Sequence, residues 1–397
     1  MLSVVLSQAL TLPRQIEFLK IRASYADVGN AFARWIANPL HEYSGTSKAY
    51  LSETAYPMDN LKPERTSSWE IGLQSRLLDG FSLNLTWYDT HTKNQTLYPA
   101  ISSGSGYSSI AIQTGDVQNT GVELSLGYTH TWGRFGWTSD FAFSHNRNKI
   151  VSLIGDAKNP ITGELLNIDN MEMGGFGAAR FYLVEGGSMG DLYSRSELVR
   201  DNRDKIYVDP SGNVQSKTIT DFGSMLKLGN VLPKANLSWR NEFRYGNLSA
   251  SALVTARLGG VVFSRTQAML DWFGVSENSA LARDNGGVLV NGGDYVDANK
   301  WYSVIGGGDT VPQYYTYSAT NVRLQEAAIG YTIPRKSLGG LFDLTLQLVG
   351  RNLWMIYCKA PFDPEAVAST TDDYYQGIDN FMTPTTRNVG FNVRLNF

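Results

Sequence analysis

The chain has 397 residues, with 39 glycines, 12% aromatic residues and only 18% charged residues, below the usual quarter. A net charge of −3 with no basic run argues against a nucleic-acid partner. The single Cys358 excludes an intrachain disulfide, and no apolar run approaches the ~18 residues of a spanning helix. What remains is two or three ordinary domains or one large, turn-rich β-barrel with aromatic girdles.

The first ten residues lack a positively charged start, and Ser7 and Gln8 interrupt their apolar stretch. They read as mature sequence rather than a signal peptide. Strand patterns then follow in pairs. Ile16–Asp27 is the first. Trp69–Leu78 and Phe81–His91 flank Asp79-Gly80, a two-residue hairpin signal. In the second of these, Phe81, Leu83, Leu85 and Trp87 alternate with Ser82, Asn84, Thr86 and Tyr88, the period of a strand with one apolar face. Gly121–Thr131 and Phe135–Asn146 form the next pair, and Ala235–Tyr245 and Leu248–Leu258 meet across Gly246-Asn247. Asn321–Ile333 breaks phase at Glu326, which a bulge or a partly buried strand would explain. Asp343–Leu353 and Arg387–Phe397 complete ten strands, the last with Val389, Phe391, Val393, Leu395 and Phe397 on one side.

The connections alternate. Short turns follow Leu78, Thr131, Tyr245 and Ile333; long segments run 28–68, 92–120, 147–234, 259–320 and 354–386. Up-and-down outer-membrane barrels have this asymmetry, with short periplasmic turns and long extracellular loops. A soluble β-sandwich, such as a secreted carbohydrate-binding module, mixes loop lengths at both ends. The expected fold is therefore an all-β, antiparallel, up-and-down transmembrane barrel. Asn84, Thr86, Glu123, Arg257, Gln347, Arg351 and Arg394 would line its interior.

Enzyme chemistry is not expected. His41, His91, His130 and His145 show no paired ligand spacing, no C-x-x-C occurs, and Gly104-Ser-Gly106 lacks the spacing of a nucleophile elbow. No catalytic residue, metal or cofactor is assigned. Asp363-Pro-Glu365 reads as a turn rather than a cation site, because an oxygen-rich calcium site needs six to eight ligands. The long segments carry Tyr50, Tyr56, Tyr98, Tyr107, Trp272, Trp301, Tyr302, Tyr314, Tyr315 and Tyr317. Rings with polar tips stack on sugars or hold peptide backbones, and membrane girdles use the same residues. Tyr317 and Trp354, near strand ends, read as girdle. Ligand contact is expected of Trp272, Trp301, Tyr302, Tyr314 and Tyr315, and of the acidic-aromatic run Asp372, Asp373, Tyr374 and Tyr375, which reads otherwise as a solvated loop tip.

Leu61-Lys-Pro-Glu-Arg-Thr-Ser-Ser-Trp-Glu-Ile-Gly-Leu73 resembles the barrel signature of SusC/RagA-like TonB-dependent outer-membrane transporters. Phe18–Asn30 resembles the strand upstream of it, and Asn119-Thr-Gly-Val-Glu-Leu124 a later strand start. Gly229-Asn230 with Pro233, Arg323-Leu-Gln-Glu326, Gly330-Tyr-Thr-Ile-Pro334, Gly350-Arg-Asn-Leu-Trp354, Asp363-Pro-Glu365 and Pro384-Thr-Thr-Arg387 follow in the family's order. The resemblance implies active uptake of oligosaccharides or peptides across the outer membrane of a Bacteroidetes-type bacterium. It implies a SusD-like surface lipoprotein and the TonB–ExbB–ExbD complex as partners. Family barrels have about 22 strands around a plug. Residues 1–397 are thus expected to be the carboxyl-terminal portion of such a barrel, without plug, TonB-contacting segment or signal peptide. A passive porin-like or adhesin-like barrel is the alternative.

Overall fold

The computed structural model describes the chain outside residues 32–41, 47–48, 52–54, 57–61, 78–79, 99–106, 114, 155–167, 309 and 370–373. His41, Asp79 and Gly104–Gly106, singled out in the sequence, lie outside the described residues. An eleven-stranded antiparallel sheet dominates, and each strand pairs with its neighbours in the order in which the wall strands follow along the chain. Its strands are β1 (Leu2–Val5), β2 (Ile16–Asn30), β3 (Glu64–Leu77), β4 (Phe81–Lys93), β5 (Asp116–Trp132), β6 (Phe135–Ser152), β7 (Ala235–Tyr245), β8 (Leu248–Leu258), β9 (Asn321–Ile333), β10 (Asp343–Cys358) and β11 (Asn388–Asn396). Ten of these are the expected strands, and several run further at their long-loop ends. The eleventh, β1, lies in the opening apolar stretch, where Leu2 pairs with Ala23 and Val5 with Lys20. β1 and β11 are the two edges of the sheet, and no pairing joins them among the described residues.

Register explains the face pattern. One row across the sheet reads Val4, Ile21, Leu73, Leu85, Leu124, Phe143, Leu237, Ala256 and Val322. The next row reads Val5, Lys20, Gln74, Asn84, Ser125, Ala142, Ser238, Thr255 and Arg323. Neighbouring rows point to opposite faces, so one face is apolar and the other mostly polar. Aromatic rings gather at the short-turn end of the apolar face. Phe81 meets Tyr128 at 4.4 Å, and Tyr128 meets Trp137 at 5.2 Å between ring centroids. Tyr25 and Trp69, 4.9 Å apart, lie toward the other end. This is the two-belt pattern of an outer-membrane wall.

The phase break in β9 is a bulge. Leu253 pairs with Glu326 and Val254 with Leu324, which leaves Gln325 as the extra residue. Val322 and Leu324 therefore share the apolar face with Ala327, Ile329 and Tyr331. Glu326 turns inward, and its carboxylate accepts from Arg351 Nε at 3.0 Å. Gly133 and Gly246 open two of the tight turns with φ of 59° and 58°, a conformation that costs glycine little.

Among the described residues, three of the long segments, 147–234, 259–320 and 354–386, fold together into a cap. Strands Asn170–Phe176, Ala179–Val184, Asp191–Ser194 and Leu226–Asn230 form one sheet. Val261–Ser264 pairs antiparallel with Thr316–Ser318 and parallel with Ile378–Asp379. Between the first two of these run helices α1 (Arg265–Trp272), α2 (Glu277–Asp284) and α3 (Ala298–Ile305). The core joins Phe181, Leu192 and Val231 with Phe263, Trp301 and Tyr315 and with Ile378, so three long loops contribute.

The outward assignment of the apolar row has a direct test. Leu83→Arg or Leu346→Arg should cost about 2–4 kcal/mol near mid-bilayer. Each should lower the amount of heat-modifiable protein in isolated outer membranes. Assembly at the unsubstituted level would mean that the faces are reversed.

Candidate functional site

Two surfaces are candidates for a functional site: the polar face of the wall and the cap above it. On the polar face, Arg22, Gly72, Thr86, Glu123, Ser144, Asn236, Arg257 and Asn321 form one continuous row. Arg22 Nη2 donates to Thr86 Oγ1 at 2.7 Å and pairs with Glu70 at 3.3 Å. It lies flat over Gly72, where a Cβ would come within 3.0 Å of the guanidinium and its stem. Beside it, Asn84, Glu123, Ser125 and Ser238 help to line a groove of about 360 Å³. A second groove, of about 490 Å³, lies nearer the short turns between Arg240, Glu242, Arg244, Gln347 and Arg394. Asn84, Thr86, Glu123, Arg257, Gln347, Arg351 and Arg394 all fall on this face, as expected. Hydroxyls, amides and charges of both signs suit it to hydrogen bonds with a polar surface.

Polar contacts tie cap to wall. Arg257 Nη2 donates to the Val231 carbonyl at 2.8 Å. Asn148 of β6 accepts from Ser188 Oγ at 3.0 Å and Met189 N–H at 2.8 Å. Within the cap, buried Asp191 accepts from Lys227 Nζ at 2.6 Å, Asn230 Nδ2 at 3.0 Å and Ser188 N–H at 3.0 Å. Gly186-Gly-Ser-Met-Gly190 has the G-x-S-x-G spacing, which the sequence was wrongly read as lacking. Ser188 sits in a strand-to-strand turn with its hydroxyl given to Asn148, so the motif is a cap anchor and not a nucleophile elbow.

The Asp363-Pro-Glu365 turn is the strongest clamp. Arg323, with its side chain 5% exposed, forks onto Asp363 at 3.1 and 2.8 Å and reaches Glu365 at 3.3 Å. Thr385 Oγ1 donates to Asp363 at 2.8 Å, and the Glu365 N–H does so at 3.0 Å. Burial opposes the Asp363 charge. The Arg323 guanidinium and these two donors outweigh it and hold the carboxyl below its ordinary range.

The expected ligand residues separate by burial. Trp301 and Tyr315 are 6% and 1% exposed and belong to the cap core, so their rings are covered and offer no face to a ligand. Trp301 packs edge-on against Tyr314 at 5.5 Å. Tyr302 and Tyr314 are half-buried, and burial raises both phenols. Tyr317 is not a girdle residue. It packs against Phe362 at 5.6 Å inside the cap, and burial, with Asp271 adding, pushes its phenol up to about 12. Trp354 stays exposed on the apolar face opposite Leu324, as a girdle residue does. Tyr374 is half-buried, 5.8 Å from the Phe181 ring. Trp272 and Tyr375 are exposed. Asp372 and Asp373 lie outside the described residues. Sequence reading missed the exposed run beside Trp272, where Phe273 and Val275 are 66% and 68% exposed at the turn between α1 and α2.

Two measurements probe the cap. Trp301→Ala empties a core position and should destabilise the cap by about 3–5 kcal/mol, seen as faster proteolysis of the long loops with the wall intact. Arg323→Ala strands the buried Asp363 charge, at about 3–5 kcal/mol. Because the folded Asp363 carboxyl titrates below its ordinary range, its contribution is complete above pH ~4 and fades as pH falls through the lowered value. In the unsubstituted protein, cap proteolysis should therefore rise below pH ~4, and Asp363→Asn should flatten that rise.

The family model for TonB dependent receptor-like β-barrels matches residues 14–353. The chain is 24% identical to TonB-dependent receptor P3 of Formosa agariphila, over 87% of this chain and 36% of that protein. It is 21% identical to TonB-dependent receptor SusC of Bacteroides thetaiotaomicron, over 89% of this chain and 34% of that protein. The RagAB peptide transporter superposes with a TM-score of 0.69 at 17% identity, covering 100% of this chain and 43% of the matched chain. At that identity the likeness concerns the fold. The chain spans less than half the length of the curated relatives it matches. Alternating faces, loop asymmetry and the matched span agree: the chain belongs to the TonB-dependent receptor β-barrel family, whose SusC/RagA-like members are outer-membrane proteins.

Proposed function

We propose that residues 1–397 form the carboxyl-terminal portion of a SusC-like importer that takes up oligosaccharides or peptides through the outer membrane. The observation that carries this reading is the polar face of the wall, continuous from β2 to β9 and roofed by a cap with its own core. A wall that served only as an anchor would need the apolar face alone. In the proposed importer, strands outside 1–397 pair with the free edges of β1 and β11 and close the barrel. A plug, also outside 1–397, hydrogen-bonds to Arg22, Glu123, Arg240, Glu242 and Arg394 and takes energy from TonB–ExbB–ExbD. The cap holds substrate beneath a SusD-like lipoprotein through the exposed rings Trp272 and Tyr375, with the half-buried Tyr302, Tyr314 and Tyr374 and the acids Asp372 and Asp373 completing the proposed set. Membership in a family of transporters agrees with a binding rather than a catalytic role for these groups.

Uptake of labelled oligosaccharide and peptide pools by cells making the protein tests the reading. Deleting TonB should abolish uptake, whereas a passive porin-like or adhesin-like barrel would be unaffected. Trp272→Ala and Tyr375→Ala should each weaken capture by about 0.5–1.5 kcal/mol, roughly two- to tenfold in Kd, with the cap folded. Unchanged capture in both would remove these rings from the site.

A further inference from the structure

A pocket of about 320 Å³ opens on the apolar side of the wall, away from the grooves on the polar face. Its lining residues Trp87, Gln118, Thr120, Val122, His145, Arg147 and Lys149 fall on three rows across β4, β5 and β6. The lowest is Trp87, Val122 and His145; the next is Asp89, Thr120 and Arg147; the highest is His91, Gln118 and Lys149. All continue the outward face that carries Leu85, Leu124 and Phe143. At ~3.3 Å per residue, Arg147 lies about 7 Å and Lys149 about 13 Å beyond the Trp87 row, toward the cap. The two cations thus stand immediately above the apolar band on the extracellular side. β7 begins opposite Ser144, and beyond it the edge of β6 meets the cap turn instead, with Ile150 bonded to Gly186 and Gly187 through the backbone.

The acids nearby are already engaged. Asp89 accepts from Gln118 Nε2 at 2.7 Å and Thr120 Oγ1 at 2.6 Å, with His91 Nε2 at 3.5 Å. Asp116 lies 2.9 Å from His91 Nδ1. His145 Nδ1 contacts the Lys234 carbonyl. Among the described residues, Arg147 and Lys149 make no ion pair. Cations facing lipid without a partner are costly, whereas at the headgroup layer they meet phosphate. A guanidinium forks onto a phosphate and an ammonium adds a point charge beside it.

We propose that this outward pocket binds the phosphate group of an outer-leaflet lipid. Arg147 and Lys149 hold the phosphate, Gln118 and Thr120 face its polar surroundings, and the acyl chains lie along Trp87, Val122 and Leu85 below. The ligand is set by chemistry and position: an anion at headgroup height with apolar chains beneath.

The test uses protein extracted from outer membranes in mild detergent. Native mass spectrometry counts the phosphorylated lipids that remain bound after washing. The double variant Arg147→Ala/Lys149→Ala should retain at least tenfold less, and Arg147→Lys/Lys149→Arg should retain most of it. Arg134→Ala, at a short turn on the opposite rim, should change nothing. Lipid stripped of its phosphate should fail to rebind, and inorganic phosphate at equal concentration should not displace the intact lipid. If the double variant fails to assemble, Gln118→Glu sets a carboxylate beside the cations and should lower retention severalfold. Lipid retention at the unsubstituted level in the double variant, or in Gln118→Glu where the double variant does not assemble, overturns the proposal. Binding of inorganic phosphate as tight as that of the lipid overturns it too, in favour of a free-ion site.

Discussion

Hydrocarbon offers a peptide group no hydrogen-bond partner, and the architecture of the wall follows from that constraint. Each strand must satisfy its backbone with its neighbours, so the chain runs antiparallel in sequence order across eleven strands. Once register is fixed, side chains have no freedom of face. A slip of one residue would turn every leucine of a strand inward. One irregularity in the wall keeps the faces consistent. The bulge at Gln325 shifts β9 by one residue, and Glu326 then faces the polar side, where Arg351 receives it. Without that shift the glutamate would face lipid.

The cap obeys a different physics. It is surrounded by water and is held by an ordinary hydrophobic core of Phe181, Leu192, Phe263, Trp301, Tyr315 and Ile378. Its attachments to the wall are polar. Asn148, Arg257 and Arg323 each leave a wall strand to grip a cap backbone or carboxylate. Arg323 is the most committed of these, because its partners Asp363 and Glu365 come from a loop that also supplies the parallel pairing at Ile378. Aromatic residues consequently serve three environments in one chain: lipid interface, cap core and open surface.

The wall was legible in the sequence, since a period of two over ten residues admits few other readings. The phase break at Glu326 was visible as well, but the choice between a bulge and a partly buried strand was not, because it rests on the register with β8. β1 was not, because four residues carry too short a pattern to separate from apolar coil. The cap was missed for a related reason. Its helices are eight residues long, barely two turns, too short for a helical period to stand out. Their starts were nevertheless written in the chain: Ser264, Ser276 and Asp297 each cap a helix, accepting from Gln267, Ser279, and Asn299 and Lys300. Burial of the aromatics was illegible, because Trp301 and Trp272 differ in nothing local. One points into a core that exists only once three distant loops have met, and the other points away from it.

The origin of the cap core in three separate loops imposes an order on assembly. Phe181 arrives between β6 and β7, Phe263 and Trp301 between β8 and β9, and Ile378 only after β10. A chain emerging amino end first carries the early pieces with no complete core to join. These contacts span nearly two hundred residues, so loop closure weighs against them until the intervening strands have zipped. The strand pair Val261–Ser264 and Thr316–Ser318 keeps one edge open until Ile378 and Asp379 fill it. Completion of the cap core thus acts as a structural timestamp: it needs Ile378, which the chain supplies only after β10.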